Sequence, residues 1–234
     1  MTVTKSLQGS WWSDGGHTAD NPANSAQRSA ADALDAAYAG EPCEIVADDG
    51  TVQTLPVRHW QRDADAADRD LFVRPCDGDV LDVGCGPGRL TVAAAGTGRR
   101  ALGIDTSLEA VRQARARGAN ALQHNVYEQL PGGRWDHALL ADGNVGIGGD
   151  PVRVLRRCAG LIGVGGRVVV EVAAHDGVRH QRLRLRVGDE LSDAFAWASV
   201  GVGAIGAVAA SAGLRVDGVA TVAGRTVARL THGA

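Results

Sequence analysis

The chain has 234 residues, a formal net charge of −3 at pH 7 and 44% hydrophobic residues, enough to bury the core of one α/β domain with a modest extension. Aromatics make up only 4%, so that core must be Val, Leu, Ile and Ala, which suits a parallel sheet flanked by helices. The acidic balance argues against a basic nucleic-acid-binding face, no apolar run reaches the roughly 18 to 20 residues of a bilayer span, and Met1–Ser6 has no apolar segment like that of a secretory signal.

Cys43, Cys76, Cys85 and Cys158 show neither a pairing pattern nor zinc-ligand spacing. They are expected to be reduced thiols in a cytoplasmic, metal-free protein. Roughly the first twenty residues, with the pair Trp11-Trp12, are polar and glycine-rich and read as an arm. Ala and Leu spacing over Ser25–Tyr38 predicts a helix ending near Gly40. Glu44–Ala47 and Thr51–Leu55, joined by Asp48-Asp49-Gly50, predict a hairpin, and Asp63–Val73 a short helix.

From Asp79 the pattern becomes strand, glycine loop, helix, repeated. Strands are expected at Val80–Val83, Arg100–Ile104, Ala119–Gln123, Trp135–Ala141 and Gly166–Val172. Helices are expected at Arg89–Ala95, Leu108–Arg117 and Pro151–Leu161, the last with Asp150 as N-cap and proline at its first position. The alternation implies parallel strands with right-handed crossovers. The tail predicts a helix around Val202–Ala212, then strands Leu214–Val219 and Arg225–Leu230 close enough to pair antiparallel. The chain therefore divides into an arm, helix and hairpin over 1–74 and an α/β domain over 75–234. The latter is a three-layer sandwich around a mostly parallel, seven-stranded sheet with an antiparallel C-terminal strand.

The most informative stretch is Asp82-Val83-Gly84-Cys85-Gly86-Pro87-Gly88-Arg89. Alternate glycines after a buried strand let the backbone turn sharply and approach a ligand closely. A dinucleotide fingerprint places its third glycine three positions after the second; Gly88 comes two after Gly86, so that reading is the poorer fit.

Asp-x-Gly-x-Gly-x-Gly after a strand resembles the first motif of class I S-adenosylmethionine (SAM)-dependent methyltransferases. The resemblance, over roughly Asp79–Val172, implies a Rossmann-like fold that binds SAM and releases S-adenosylhomocysteine. It implies cofactor contacts at Asp82, Gly84, Cys85, Gly86, Gly88 and Arg89. Asp105, followed by Thr106, stands where the family's acidic residue binds both ribose hydroxyls, which a carboxylate can accept together. Asn125, followed by Val126, replaces the Asp that often meets the adenine amino group. Asp142 and Gly143 fall at the methionine end. A narrower resemblance links Asp142–Pro151, Val80–Leu90 and Phe195–Ala198 to actinobacterial small-molecule methyltransferases with a DGNxGIGGDP stretch.

Ligands of open α/β sheets lie beyond the carboxyl ends of the strands, so Asp142, Asn144 and His175 become the catalytic candidates. His175 is a general base, a substrate anchor or a solvent-facing loop histidine. Asp142 acts electrostatically or caps its loop. Trp11, Trp12, Asp14, His17 and Tyr38 form a lid or a surface-packed tail, with His59 and Trp60 as further candidates. Arg182, Arg184 and Arg186 share one strand face, as an anion grip or a solvated surface; Arg153, Arg156 and Arg157 are expected to face solvent.

The expected acceptor is a small molecule methylated at O, N or C, with no membrane partner, in a monomer or homodimer. Alternatives are methylation of RNA or protein, and SAM binding without methylation, since fold does not fix function.

Overall fold

The computed structural model describes residues 28–233. Ser29 caps α1 (Ala30–Ala39) by accepting the amide of Asp32, and Gly40 closes it with φ 111°. The helix expected over Ser25–Tyr38 thus begins at Ala30, behind its Ser29 cap. Then follow β1 (Cys43–Ala47), β2 (Val52–Thr54), α2 (Val57–Gln61) and α3 (Ala66–Asp68), which runs into a π-helical turn over Arg69–Val73. The five-residue α2, behind Pro56, is too short to register as helical periodicity.

The next elements alternate as expected: β3 (Val80–Val83), α4 (Arg89–Ala95), β4 (Ala101–Asp105), α5 (Leu108–Ala116), β5 (Ala121–Gln123), β6 (Trp135–Leu140), α6 (Pro151–Leu161) and β7 (Ile162–Val172). After them come β8 (Val178–Val187), β9 (Glu190–Leu191), β10 (Phe195–Val200), α7 (Ile205–Ser211), β11 (Leu214–Val222) and β12 (Arg225–His232).

The central sheet has the order β11-β12-β7-β6-β3-β4-β5. Strands β3 to β7 run parallel, and β12 pairs antiparallel with both β7 and β11. This is the expected α/β sandwich. The chain winds outward from β3 to β5 and then returns to β6 on the other side of β3. That reversal opens a crevice at the carboxyl ends of β3 and β6, where ligands of such sheets bind.

A second sheet, of order β10-β8-β1-β2 with β9 on β8, was not expected. It joins the N-terminal hairpin to the segment after β7: Cys43 faces Val187 and Ala47 faces Leu183. Cross-strand partners share a face, so Cys43, Ile45, Ala47, Leu183, Leu185 and Val187 form one buried apolar surface, which packs on α1. The pairing partners lie far apart in the chain, so local alternation does not reveal them. Among the described residues no helix is long and apolar enough to cross a membrane.

Candidate functional site

The carboxyl end of β3 leads into Gly84, Gly86 and Gly88, with φ of 70°, 52° and 84°. At Gly84 glycine is required twice over: its φ is left-handed, and a Cβ would stand 2.6 Å from the Asn144 amide nitrogen. That nitrogen donates to the carbonyls of Val83 and Gly84, at 2.8 and 3.0 Å. Asn144, a catalytic candidate from sequence, thus braces the glycine turn from the opposite wall of the crevice.

Two buried carboxylates flank this turn. Asp82, at the end of β3, accepts the Thr91 hydroxyl at 2.6 Å, and burial pushes its pKa up to about 6. Asp105, at the end of β4, accepts the amides of Gly86 at 2.8 Å and Ser107 at 2.9 Å. Burial raises it to about 6 even against those hydrogen bonds.

Beside Asp105 lies a pocket lined by Gly84, Asp105, Thr106, His124, Val126 and Ile147. The Thr106 hydroxyl and His124 Nε2 are buried there without a hydrogen-bond partner. Asn125 accepts the Tyr127 amide at 3.0 Å and so stabilises the turn that presents its two neighbours.

A second pocket continues past the turn, lined by Tyr38, Trp60, Asp82, Gly86, Arg89 and Asp142, with buried Cys85 in its wall. Burial holds the Tyr38 hydroxyl well above its usual pKa, hence neutral. Trp60 Nε1 and His59 Nε2 are buried and unpartnered, and His59 Nε2 lies 3.7 Å from Asp142. Asp35 ties α1 to the start of α5, accepting the Ser107 hydroxyl and the Glu109 amide.

Behind Asp142 is a buried ionic network. Arg89 bonds both Asp68 and Asp142. Arg225 bonds Asp68 at 2.5 Å and Glu171 at 2.8 and 2.9 Å, and lies 3.5 Å from Asp142. Burial would raise the Asp142 carboxyl, but Arg89, His59 and Arg225 outweigh it and hold the group below the usual range. The guanidinium of Arg89, expected at the cofactor, is committed to this network. Sequence reasoning passed over Asp68, Glu171 and Arg225. A signal was present: Glu171 interrupts the run Val168-Val169-Val170-Glu171-Val172 in a buried strand, and a lone buried carboxylate needs a partner.

The remaining candidates are dispersed. His175 Nε2 lies 2.8 Å from the Ser199 hydroxyl and Nδ1 3.0 Å from the Asp176 carbonyl; it lines neither pocket. Arg186 pairs with Glu44 across the second sheet, and Arg184 donates to the Ser192 carbonyl. Arg182 lines a separate depression with His180, Asp48 and Asp49. Of the arginines expected to face solvent, Arg157 instead donates to the Val126 and Glu128 carbonyls, holding the turn after β5. Arg153 stacks over Tyr127 and Arg156 donates to the Ser211 carbonyl. Trp11, Trp12, Asp14 and His17 lie outside the described residues.

Residues 80–166 match a family model described as a methyltransferase domain. A SAM-dependent methyltransferase from Bacteroides fragilis, solved with S-adenosyl-L-homocysteine, superposes with a TM-score of 0.73 at 18% identity, covering 89% of this chain and 96% of that one. DesVI of Streptomyces venezuelae superposes at 0.52 with 20% identity, over 72% of this chain and 91% of that one. The SAM-bound amino pentose methyltransferase CalS10 of Micromonospora echinaspora does so at 0.52 with 16% identity, over 76% and 95%. No curated protein matches the sequence. The chain thus shares its fold with SAM-dependent methyltransferases, and residues 80–166 are similar to a methyltransferase domain.

Proposed function

We propose that the protein is a SAM-dependent methyltransferase that methylates O, N or C of a small-molecule acceptor, a specialised metabolite by its narrower resemblance. The observation that carries this reading is a pair of pockets that share Gly84 of the glycine turn, each with buried polar atoms that lack a hydrogen bond. Thr106 and His124 line the pocket beside Asp105; Trp60 lines the pocket beside Asp142, next to His59. Unpaired buried donors and acceptors are costly, so their clustering here fits a polar ligand that satisfies them.

In this reading Asp105 accepts the ribose hydroxyls, and Val126, Ile147 and His124 form the adenine wall. Gly84 and Gly86 allow the ligand to approach the backbone, and Asp142 holds negative charge at the methionine end. SAM, when bound, supplies an electrophilic methyl group on a sulfonium. The chain's task is to align the acceptor with that methyl and exclude water, to which Tyr38 and Trp60 contribute as apolar walls. Asn144 is then a positioning residue, and His175, engaged by Ser199, stands outside the reacting centre.

The test is thermal stability with SAM, S-adenosylhomocysteine and NAD, on wild type and Asp105→Ala. A ligand of the native state stabilises by about 2.7 kcal/mol at a hundredfold excess over Kd. SAM and its product should raise the melting temperature, NAD should not, and the shift should shrink in the variant. A shift with NAD alone would replace this reading with a dehydrogenase. Release of S-adenosylhomocysteine in an acceptor screen then separates methyl transfer from mere binding.

A further inference from the structure

Asp142 has a φ of 49°, a left-handed conformation that it shares, among described non-glycine residues, with Ala223 alone. Such a conformation persists only where surrounding contacts impose it. Here the Asp142 amide donates to Glu171 Oε2 at 2.7 Å. The Arg225 guanidinium holds that carboxylate from its other side, with Nε on Oε1 at 2.8 Å and Nη2 on Oε2 at 2.9 Å.

Arg225 reaches this place because of the hairpin before it. Ala223 and Gly224, with φ of 50° and 78°, form a two-residue turn between Val222 and Arg225. Since β12 runs antiparallel to β7, its first residue emerges at the carboxyl end of the parallel strands, beside the crevice.

A buried ion pair of this kind is a poor source of stability, because desolvation cancels much of the attraction. It does set geometry. From Asp142 the chain passes through Gly143, with φ 82°, to Asn144, whose amide fixes the carbonyls of Val83 and Gly84. The C-terminal hairpin is thus connected, bond by bond, to the glycine turn.

We infer that Glu171 and Arg225 are positioning residues for the methionine half of the cofactor, holding Asp142 in its left-handed turn. The inference rests on the SAM reading above. It predicts a selective defect, since Asp142 lines the pocket of Tyr38, Trp60 and Arg89, whereas none of Glu171, Arg225 and Asp142 lines the pocket beside Asp105, Thr106 and His124.

The test is calorimetric binding of SAM, S-adenosylhomocysteine and 5′-methylthioadenosine, which lacks the amino-acid half, to the whole protein. The variants are Glu171→Gln and Arg225→Met, each checked for a cooperative melt. Glu171→Gln is isosteric, but in either amide orientation its NH2 group meets a donor, Arg225 Nε or the pair of the Asp142 amide and Arg225 Nη2. Each variant should bind SAM and S-adenosylhomocysteine about tenfold or more weakly, as for loss of one buried hydrogen bond. 5′-Methylthioadenosine affinity should change less than about threefold. Should a single variant not fold, the Glu171→Met/Arg225→Met double variant, which leaves neither of those two charges stranded, carries the same comparison. Unchanged SAM affinity, or equal losses for all three ligands, would overturn the assignment. If wild type bound none of the three, the SAM reading itself would fall instead.

Discussion

The side-chain amide of Asn144 occupies the space that a side chain on Gly84 would fill, 2.6 Å from where its Cβ would stand, and bonds the carbonyls of Val83 and Gly84. One contact therefore joins the two strand ends that bound the crevice, β3 and β6. It explains why the first glycine must be glycine and what the residue after Asp142-Gly143 does.

Asn144→Ala removes both hydrogen bonds and leaves the loop wall without its brace. The expected result is a loss of about 1–3 kcal/mol of stability with SAM affinity lowered about tenfold, measured by urea unfolding and calorimetry. Asn144→Ala with native SAM affinity would show that the glycine turn holds its shape unaided.

Gly88 and Gly118 separate backbone strain from crowding. Their φ values are 84° and 87°, but a Cβ at Gly88 would meet Ala114 Cβ at 2.9 Å whereas one at Gly118 meets nothing within 4 Å. Gly118→Ala should cost about 1 kcal/mol from φ alone, and Gly88→Ala about 1–3 kcal/mol more as helices α4 and α5 are pushed apart. Denaturant midpoints decide this; equal costs would mean the α4–α5 contact yields freely.

The carboxyls of Asp82 and Asp105 lie at about 6 in the folded protein, above the roughly 3.9 of an unfolded Asp. A raised acid pKa favours the fold while the group is protonated. That contribution is complete below about pH 4 and is lost as pH rises through about 6. Asp82→Asn keeps an acceptor for Thr91 without the charge. Relative to wild type, its melting temperature should therefore improve between pH 4 and pH 8, by an equivalent of up to about 3 kcal/mol. A difference that did not change with pH would refute a buried, ionisable Asp82.

Much of the central fold was legible because each βα unit is a local pattern. The glycine turn, the N-cap Asp150 with Pro151 and the buried run at Val168–Val170 each announce themselves within a few residues. The second sheet was not legible, because Glu44–Ala47 pairs with Leu183–Arg186, beyond the whole intervening run of βα units. Asn125 and Arg89 show the same limit at the site. Their positions followed from the motif, but the turn bond to Tyr127 and the bonds to Asp68 and Asp142 depend on neighbours that local pattern does not reveal.

By itself, then, the sequence determined the alternation of strands and helices along the chain and the backbone freedom of Gly84, Gly86 and Gly88, since steric and periodic constraints act over a few bonds. It also determined that Asp105 ends the strand beside that turn. Only the tertiary structure decided that Asp142 is gripped by Arg89 and Arg225, that the Asn144 amide bonds the glycine turn, and that His175 turns to Ser199. Those outcomes are set by which charged and polar groups find each other when water is excluded, and burial makes an unpaired group costly without saying in advance which partner it will take.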